Sequence, residues 1–200
     1  MYTMAMIDSE KYREKTDNDL VTLTLENQSY FLYLIERYEN KLLNYILRIS
    51  NVSHEEAEDT LQDSFIKIYT NLNDFDSNLK FSSWVYRIVH NQVINNYRKI
   101  KARPQLSNLP DLNENMLNNL ASDLNLEKEI DLKFLKKNIN KILDKIDIKY
   151  KEILILKFLE EKNYNEISDI LKKPSGTVAS LINRAKKNFQ QELINQKIKL

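Results

Sequence analysis

The residues whose types and spacing most clearly suggest a binding function lie between Lys80 and Arg103, where basic side chains alternate with aromatic rings. Six basic residues and no acidic residue occupy this stretch, and its rings include Phe81, Trp84 and Tyr97. Basic side chains hold a phosphate backbone, and aromatic rings stack on unpaired bases. The pattern predicts a surface for single-stranded nucleic acid. The alternative for Trp84 is a place in the core, which is the commoner position of a tryptophan.

A second basic stretch, residues 163–189, reads NYNEISDILKKPSGTVASLINRAKKNF and predicts two short helices joined by a tight turn. Ser175 is a candidate N-cap of the second helix, and the chain's only glycine follows it. Free amides at that helix start would favour a phosphate. The alternative is an ordinary helical hairpin with a solvated polar face. The polar side of the second helix, which can meet bases or phosphates, consists of Ser180, Asn183, Arg184 and Lys187.

A third candidate surface lies on the segment HEEAEDTLQDSFIKIYTNL, residues 54–72. Its helical spacing predicts an acidic face with an apolar residue in the middle, which suits a protein partner that bears Arg or Lys. The alternative is a solvated helix face. The face consists of Asp59, Gln62, Asp63 and Ile66, and the predicted buried side consists of Ala57, Leu61, Ser64 and Ile68.

The composition predicts an all-α protein that is soluble and cytoplasmic. Of the 200 residues 42% are apolar, enough for packed cores, while one Gly and three Pro are too few for sheets and their turns. No apolar run approaches the length that spans a bilayer, and the N-terminus lacks the long apolar core of a signal peptide. We therefore expect no membrane insertion.

The formal net charge of +1 hides a strong polarity along the chain. Residues 1–79 carry seven basic and fifteen acidic residues, whereas residues 80–104 carry six basic residues and no acidic one. Residues 148–200 carry eleven basic and six acidic residues. One acidic block followed by two basic blocks indicates two kinds of partner.

Helical periodicity predicts how these surfaces are held. Helices are expected over residues 27–49, 54–72, 81–101, 130–146 and 150–161, before the helix pair of residues 163–189. Residues 104–127 contain two prolines and many Asn and Ser residues, so they predict a flexible linker. The chain is thus expected to form two small helical domains joined by a tether.

Catalytic and metal chemistry find little support in the sequence. The run His54-Glu55-Glu56-Ala57-Glu58 lacks the second histidine of a zinc-protease motif. With one glycine and no cysteine the chain has no glycine-rich phosphate loop and no thiol nucleophile. No Ser-His-Asp set is discernible. We expect no enzyme activity, no metal and no cofactor.

Three segments together resemble the extracytoplasmic-function (ECF) group of sigma-70 family RNA polymerase sigma factors. KIDIKYKEILILKFLEEKNYNEISDILKKPSGTVASLINRAKKNF resembles the fourth conserved region, AEDTLQDSFIKIY is similar to the core-binding helix, and FSSWVYRIVHNQVINNYRKIKAR resembles the promoter-melting segment. The resemblance covers about residues 17–103 and 131–193, in the order of the family. It implies an N-terminal extension (1–16), a region 2 domain (17–103), a linker (104–130) and a region 4 helix-turn-helix domain (131–200).

The resemblance also implies partners and site residues. The partners are core RNA polymerase, through its β′ clamp and β flap, and promoter DNA; many members also have an anti-sigma factor. Contact with the β′ clamp is implied for Asp59, Gln62, Asp63, Phe65 and Ile66. Contact with the minus-ten promoter element is implied for Phe75, Asn78, Lys80, Trp84, Arg87, Asn91, Arg98 and Lys99. Contact with the minus-thirty-five element is implied for Ser175, Thr177, Ser180, Asn183, Arg184 and Lys187.

The sequence departs from the family pattern at several positions. Lys172 stands where members usually have the glycine that ends the first helix of the pair, so a left-handed turn there would be costly. Ala179 and Leu181 replace basic residues, which predicts weak binding of the upstream element. Asn95 stands where many members have Asp. Two alternatives remain, a stand-alone helix-turn-helix regulator and a helical protein-binding adaptor.

Overall fold

The computed structural model describes residue 12, residues 14–102 and residues 139–195, and every regular element within those residues is helical. The all-α prediction is confirmed. The predicted linker and most of the predicted N-terminal extension lie outside the described residues. Residues 139–145 are helical and precede α5. The α-helices are α1 (Asp17–Glu26), α2 (Phe31–Ser50), α3 (His54–Thr70), α4 (Phe81–Ala102), α5 (Ile148–Leu154), α6 (Tyr164–Leu171) and α7 (Ser175–Asn195).

Three of the helices begin with a capping box, in which two residues satisfy each other's backbone N–H groups. The box at the start of α3, formed by Ser53 and Glu56, is the one that the sequence predicts. Each box fixes the point where the chain turns into its helix. The other two boxes pair Thr16 with Asp19 before α1, and Asn163 with Glu166 before α6.

The N-terminal half has a core between α2, α3 and α4. The side of α3 that the spacing predicts as buried is buried, since Ala57, Leu61, Ser64 and Ile68 are each at most 5% exposed. Side chains at helical spacing on α2 and α4 complete the same core. They are Leu34, Leu42, Tyr45, Ile46 and Ile49 on α2, and Val85, Val89 and Val93 on α4.

The helix predicted over residues 150–161 is an α-helix that changes into a π-helical turn. The turn, Ile155–Leu159, is closed by the N–H of Glu160, which donates to the carbonyl of Ile155 at 2.9 Å. Glu161 follows with a positive φ of 53°. Periodicity over so short a segment cannot distinguish a turn with one extra residue from a regular α-turn.

The helix-turn-helix unit forms as predicted, with one correction at its second helix. Ser175 was expected to cap α7, but it is the first residue of that helix. The carbonyl that accepts the first helical bond belongs to Pro174, which receives the N–H of Val178 at 3.0 Å. The cap position is therefore Pro174, and the side chain of Ser175 lies exposed in the first turn.

The two halves are in direct contact, which the sequence did not predict. Helix α6 packs on α4, and the π-helical turn after α5 lies against α2. Within the described part of the chain, no helix is both long enough and apolar enough to cross a bilayer.

The turn between α6 and α7 passes through Lys172 in the left-handed conformation, with φ 52° and ψ 45°. Its N–H donates to the carbonyl of Ser168 and ends α6. A residue with a Cβ atom has a steric cost in this conformation. The expected costly left-handed turn at Lys172 is therefore present.

Replacement of Lys172 by glycine is expected to stabilise the chain by about 1 kcal/mol, because glycine adopts left-handed backbone freely. Chemical denaturation measures the change. Lys172→Ala is the matched control, since it removes the same charge and keeps the Cβ atom. An equal gain in both variants would show that the charge, and not the backbone, causes the effect.

Candidate nucleic-acid and protein interfaces

The acidic face of α3 is open to a partner. Asp59, Gln62 and Asp63 are exposed, and Ile66 between them is 61% exposed. Phe65 is half-buried, with its ring 6.3 Å from that of Phe31 and perpendicular to it. Four of the five residues thus present side chains to solvent, while Phe65 supports the face from its edge.

The apolar part of this face extends further than the sequence prediction. Tyr69 is 40% exposed, and its ring centroid lies 5.1 Å from that of Phe31. It follows Ile66 by three residues, a spacing that places both on one side of the helix. The same spacing in the sequence could have indicated that Tyr69 belongs to this face. Leu32, beside Phe31 on α2, is also exposed.

The loop before α4 presents two of the predicted minus-ten residues. Asn78 and Lys80 are exposed, and Asn78 is held by its backbone and side-chain N–H groups, which donate to Asp76 at 3.0 and 2.9 Å. An open pocket of about 380 Å³ lies between this loop and the start of α1. Its walls are Thr16, Asp17, Asn18, Asn78, Leu79, Lys80, Phe81 and Ser82.

Trp84 is a core residue, 6% exposed, so its predicted stacking on a base needs a correction. Its ring centroid lies 5.5 Å from that of Phe75 and 5.7 Å from that of Phe81. Because the Trp84 ring packs against these two rings and is buried, little of it is available to stack on a base. Trp84 therefore supports the loop before α4, and half-buried Phe75 packs on it.

Further along α4, Arg87, Asn91 and Arg98 share one side of the helix. Their spacing of four and seven residues returns to nearly the same direction. Asn91 and Arg98 are exposed, and Arg87 is half-buried. Lys99 lies in α4, but its side chain is outside the described part of the structure. The three described residues form a polar track that continues from the loop.

The polar side of α7 is exposed as predicted. Ser180, Asn183, Arg184 and Lys187 follow one another at helical spacing, and Ser175 and Thr177 are exposed in the first turns. The hydroxyl of Ser180 donates to the carbonyl of Thr177 at 2.9 Å. Leu181 packs partly against the core, so its position serves the fold. A Cβ atom added at Gly176 would meet nothing within 4 Å, so the fold itself does not require glycine there.

An apolar pocket of about 310 Å³ lies in the C-terminal half. Phe158, in the π-helical turn, is 50% exposed beside it. Lys186 lies 5.3 Å above the Phe158 ring. Because Phe158 and Leu159 are exposed, the pocket is a candidate protein interface. Its walls are Ile139, Leu143, Leu154, Phe158, Leu159, Lys186, Phe189 and Gln190.

The contact between the halves centres on Glu160, which the sequence did not indicate. Its two carboxylate oxygens accept bonds from Arg48 Nη1 at 2.7 Å and from the Tyr86 hydroxyl at 2.6 Å. Burial, followed by the charge of Glu160, raises the pKa of Tyr86, so its hydroxyl remains a donor. The sequence predicts Glu160 near the end of the helix over residues 150–161, where a charged residue is expected to be solvated, so it gave no signal of a buried contact.

A second buried contact joins His90 of α4 with Glu152 of α5, Nε2 to Oε2 at 3.6 Å. Burial lowers the pKa of His90 to about 4 and raises the pKa of Glu152 to about 7. In slightly acidic solution both groups are therefore neutral, although their separation is that of an ion pair. The other ring nitrogen of His90 bonds the hydroxyl of Tyr45 at 3.0 Å. Among the described residues no cluster of three His, Cys, Asp or Glu side chains could hold a metal.

Comparison with known proteins places both halves in one family. Residues 34–103 match sigma-70 region 2, and residues 136–189 match sigma-70 region 4. The chain is 32% identical over 170 residues to the ECF RNA polymerase sigma factor SigW of Bacillus subtilis, covering 84% of this chain and 90% of SigW. It is 29% identical over 189 residues to the ECF RNA polymerase sigma-E factor of Haemophilus influenzae, covering 89% and 95%.

Solved structures share the fold. CnrH in complex with the cytosolic domain of CnrY superimposes with a TM-score of 0.66 at 20% identity, over 90% of this chain and 99% of that one. The sigma factor RpoE, in complex with the anti-sigma factor NepR from Bartonella quintana, gives 0.58 at 19% identity, over 85% and 98%. At these identities the likeness concerns the fold alone.

The raised pKa of Glu152 predicts a pH-dependent stability. Because the pKa of the buried group, about 7, exceeds its ordinary value of 4.5, the folded state loses stability as pH rises through this interval. Glu152→Gln removes that loss. Its melting temperature should equal that of the wild type near pH 5 and exceed it by a few degrees near pH 8. Glu161→Gln, an exposed control, should show no such divergence, and parallel curves for Glu152→Gln would contradict the assignment.

Proposed function

The chain belongs to the ECF group of sigma-70 family RNA polymerase sigma factors, and we propose that three of its surfaces divide the work of promoter-directed initiation. It directs core RNA polymerase to specific promoters and initiates transcription. The observation that carries the division of labour is the coexistence, on one chain, of an exposed acidic face and two polar surfaces that each carry basic residues. The proposed domains are residues 17–103 and 131–200, with the linker 104–130 between them.

The acidic face of α3 is the proposed docking site for the β′ clamp. Exposed carboxylates around an exposed isoleucine offer charge for orientation and apolar area for affinity. Tyr69 extends that apolar area. The docking residues are Asp59, Gln62, Asp63, Ile66 and Tyr69, with Phe65 as their support.

The loop before α4 and the polar track of that helix are the proposed minus-ten surface. Lys80, Arg87 and Arg98 supply charge for the phosphate backbone, and the side-chain amides of Asn78 and Asn91 can bond base edges. Trp84 and Phe75 act here by shaping the loop. Lys99 is included in the proposed minus-ten surface only because the family resemblance implies it.

The exposed side of α7 is the proposed minus-thirty-five surface. Only Arg184 and Lys187 are charged within its set, so the isolated half should bind duplex DNA weakly. Polymerase holds both halves on one DNA molecule, which raises the effective concentration of the second contact. The apolar pocket beside Phe158 and Leu159 is the proposed seat of the β flap.

The proposed activity involves no bond chemistry by the chain itself, and we place it in the cytoplasm, where promoters and polymerase are found. An anti-sigma factor is a further proposed partner. The sigma factor RpoE of Bartonella quintana, which shares the fold, was solved with the anti-sigma factor NepR.

Run-off transcription with purified sigma-free core polymerase tests this function. The chain should yield a promoter-specific product that core polymerase alone does not make. A stand-alone helix-turn-helix regulator would bind duplex DNA without polymerase and yield no such product. A protein-binding adaptor would yield neither, and either result would reject the proposed function.

Asp63→Arg is expected to weaken association with core polymerase at least about tenfold, because it reverses a charge inside the proposed docking face. In the free chain Asp63 makes only a 3.5 Å contact with Gln92, so the fold should persist. Co-purification and circular dichroism measure the two effects. Glu39→Arg, an equal charge reversal at an exposed position of α2, should leave association unchanged. Undiminished co-purification of Asp63→Arg would remove this residue from the face.

A further inference from the structure

The turn of the helix-turn-helix unit is held in one conformation by Ser168. The carbonyl of Ser168 accepts the N–H groups of Lys172 and of Lys173, the latter at 3.2 Å, and its hydroxyl donates to the carbonyl of Lys173 at 2.5 Å. Pro174 follows, and its ring fixes φ. The place of Lys172 relative to the start of α7 is therefore set by the backbone and not by its own side chain.

The backbone at position 172 would suit glycine better than lysine, because a Cβ atom has a steric cost at a φ of 52°. The side chain of Lys172 is exposed, so it adds no packing to the core. Its charge, at the end of α6, interacts favourably with the helix dipole, but this gain is at most about the size of the steric cost. The fold alone therefore gives no net preference for lysine, and residues in such a conformation are common at functional sites.

The ammonium group of Lys172 is available to a ligand. Among the described residues no carboxylate forms an ion pair with it. The ammonium groups of Lys80, Lys149 and Lys151, in contrast, lie 2.9, 3.8 and 2.8 Å from carboxylate oxygens. Because Lys172 is exposed and has no such pair, it can bind a phosphate without first breaking an internal bond.

The exposed side of α7 carries little charge for the phosphate backbone, since Arg184 and Lys187 are the only charged residues of the proposed set. Ala179 is half-buried and Leu181 packs partly against the core, so neither supplies a further polar contact. In helix-turn-helix docking the second helix enters the major groove with its N-terminal residues, while the first helix crosses the phosphate backbone. The turn that joins them then lies at the edge of the groove, and Lys172 is in that turn.

We propose that Lys172 is a phosphate contact of the minus-thirty-five surface, which supplies from the turn the positive charge that positions 179 and 181 lack. A contact to the phosphate backbone strengthens binding and positions the chain on DNA, and it reads no base. The strained turn is thus the means by which a cation is placed beside the start of α7. The assignment rests on the proposed function, because it adds a residue to the DNA surface that this function assigns to α7.

The salt dependence of promoter binding by the polymerase-bound chain tests the contact. Each phosphate contact adds about 0.9 to the steepness of log Kobs against log salt concentration. Lys172→Ala and Lys172→Gly should each weaken binding of a promoter fragment several-fold and reduce the steepness by about 0.9. Lys172→Arg should keep both values near those of the wild type, since a guanidinium also binds phosphate. Lys145→Ala, which removes an exposed lysine outside the proposed DNA surfaces, should change neither value.

Two further measurements separate the contact from a purely structural role of Lys172. Chemical denaturation should find Lys172→Gly at least as stable as the wild type, so that unfolding does not account for its weaker binding. On a shorter fragment that ends between the two promoter elements, the wild type and the Lys172 variants should bind alike, because the phosphates beside the turn are absent.

The outcomes distinguish the contact from the function on which it rests. An unchanged steepness in both Lys172→Ala and Lys172→Gly would overturn the contact, as would an equal loss with Lys172→Arg or a loss that persists on the shorter fragment. Promoter-specific transcription by the wild type would in each of these cases still support the sigma-factor function. Failure of the wild type to give a promoter-specific product would overturn that function itself.

Discussion

A carboxylate that is removed from water must keep its oxygens bonded, and the arrangement of the two halves depends on this requirement at Glu160. Its donors come from α2 and α4, whose positions are fixed by the N-terminal core. The C-terminal half thus takes its place by satisfying a polar demand rather than by a large apolar contact alone. An interface of this kind is specific in geometry, because each carboxylate oxygen must meet its donor.

The three proposed surfaces are built from the same local principle, which is a helix with one buried side. In α3 and α7 the buried residues fix the rotation of the helix about its axis, and this rotation determines which residues face solvent. Trp84 is an exception, because it belongs to the aromatic cluster that shapes the loop before α4 and is not among the exposed residues. Recognition in this chain relies on the placement of ordinary side chains.

Much of the fold and part of the site are readable from the sequence, because periodicity and capping are local. The buried side of α3 and the box at Ser53 follow from neighbours a few residues away, and the strained turn at Lys172 follows from the resemblance to a family that usually has glycine there. The contact of Glu160 with Arg48 does not, since 112 residues separate the partners and each reads as a solvated charge. Trp84 remained ambiguous for the same reason, because its burial depends on rings brought together by the loop.

The π-helical turn before Glu160 has a consequence for relatives of this chain. A turn closed over five residues holds one residue more than an α-turn, and one residue corresponds to about 100° of rotation around a helix axis. A relative with a single deletion in Ile155–Leu159 would keep an uninterrupted helix and an acidic residue at its end, yet that residue would face elsewhere. Conservation of the glutamate is therefore not sufficient, and a homologue must also keep the segment length to form the contact that Glu160 makes with Arg48 and Tyr86.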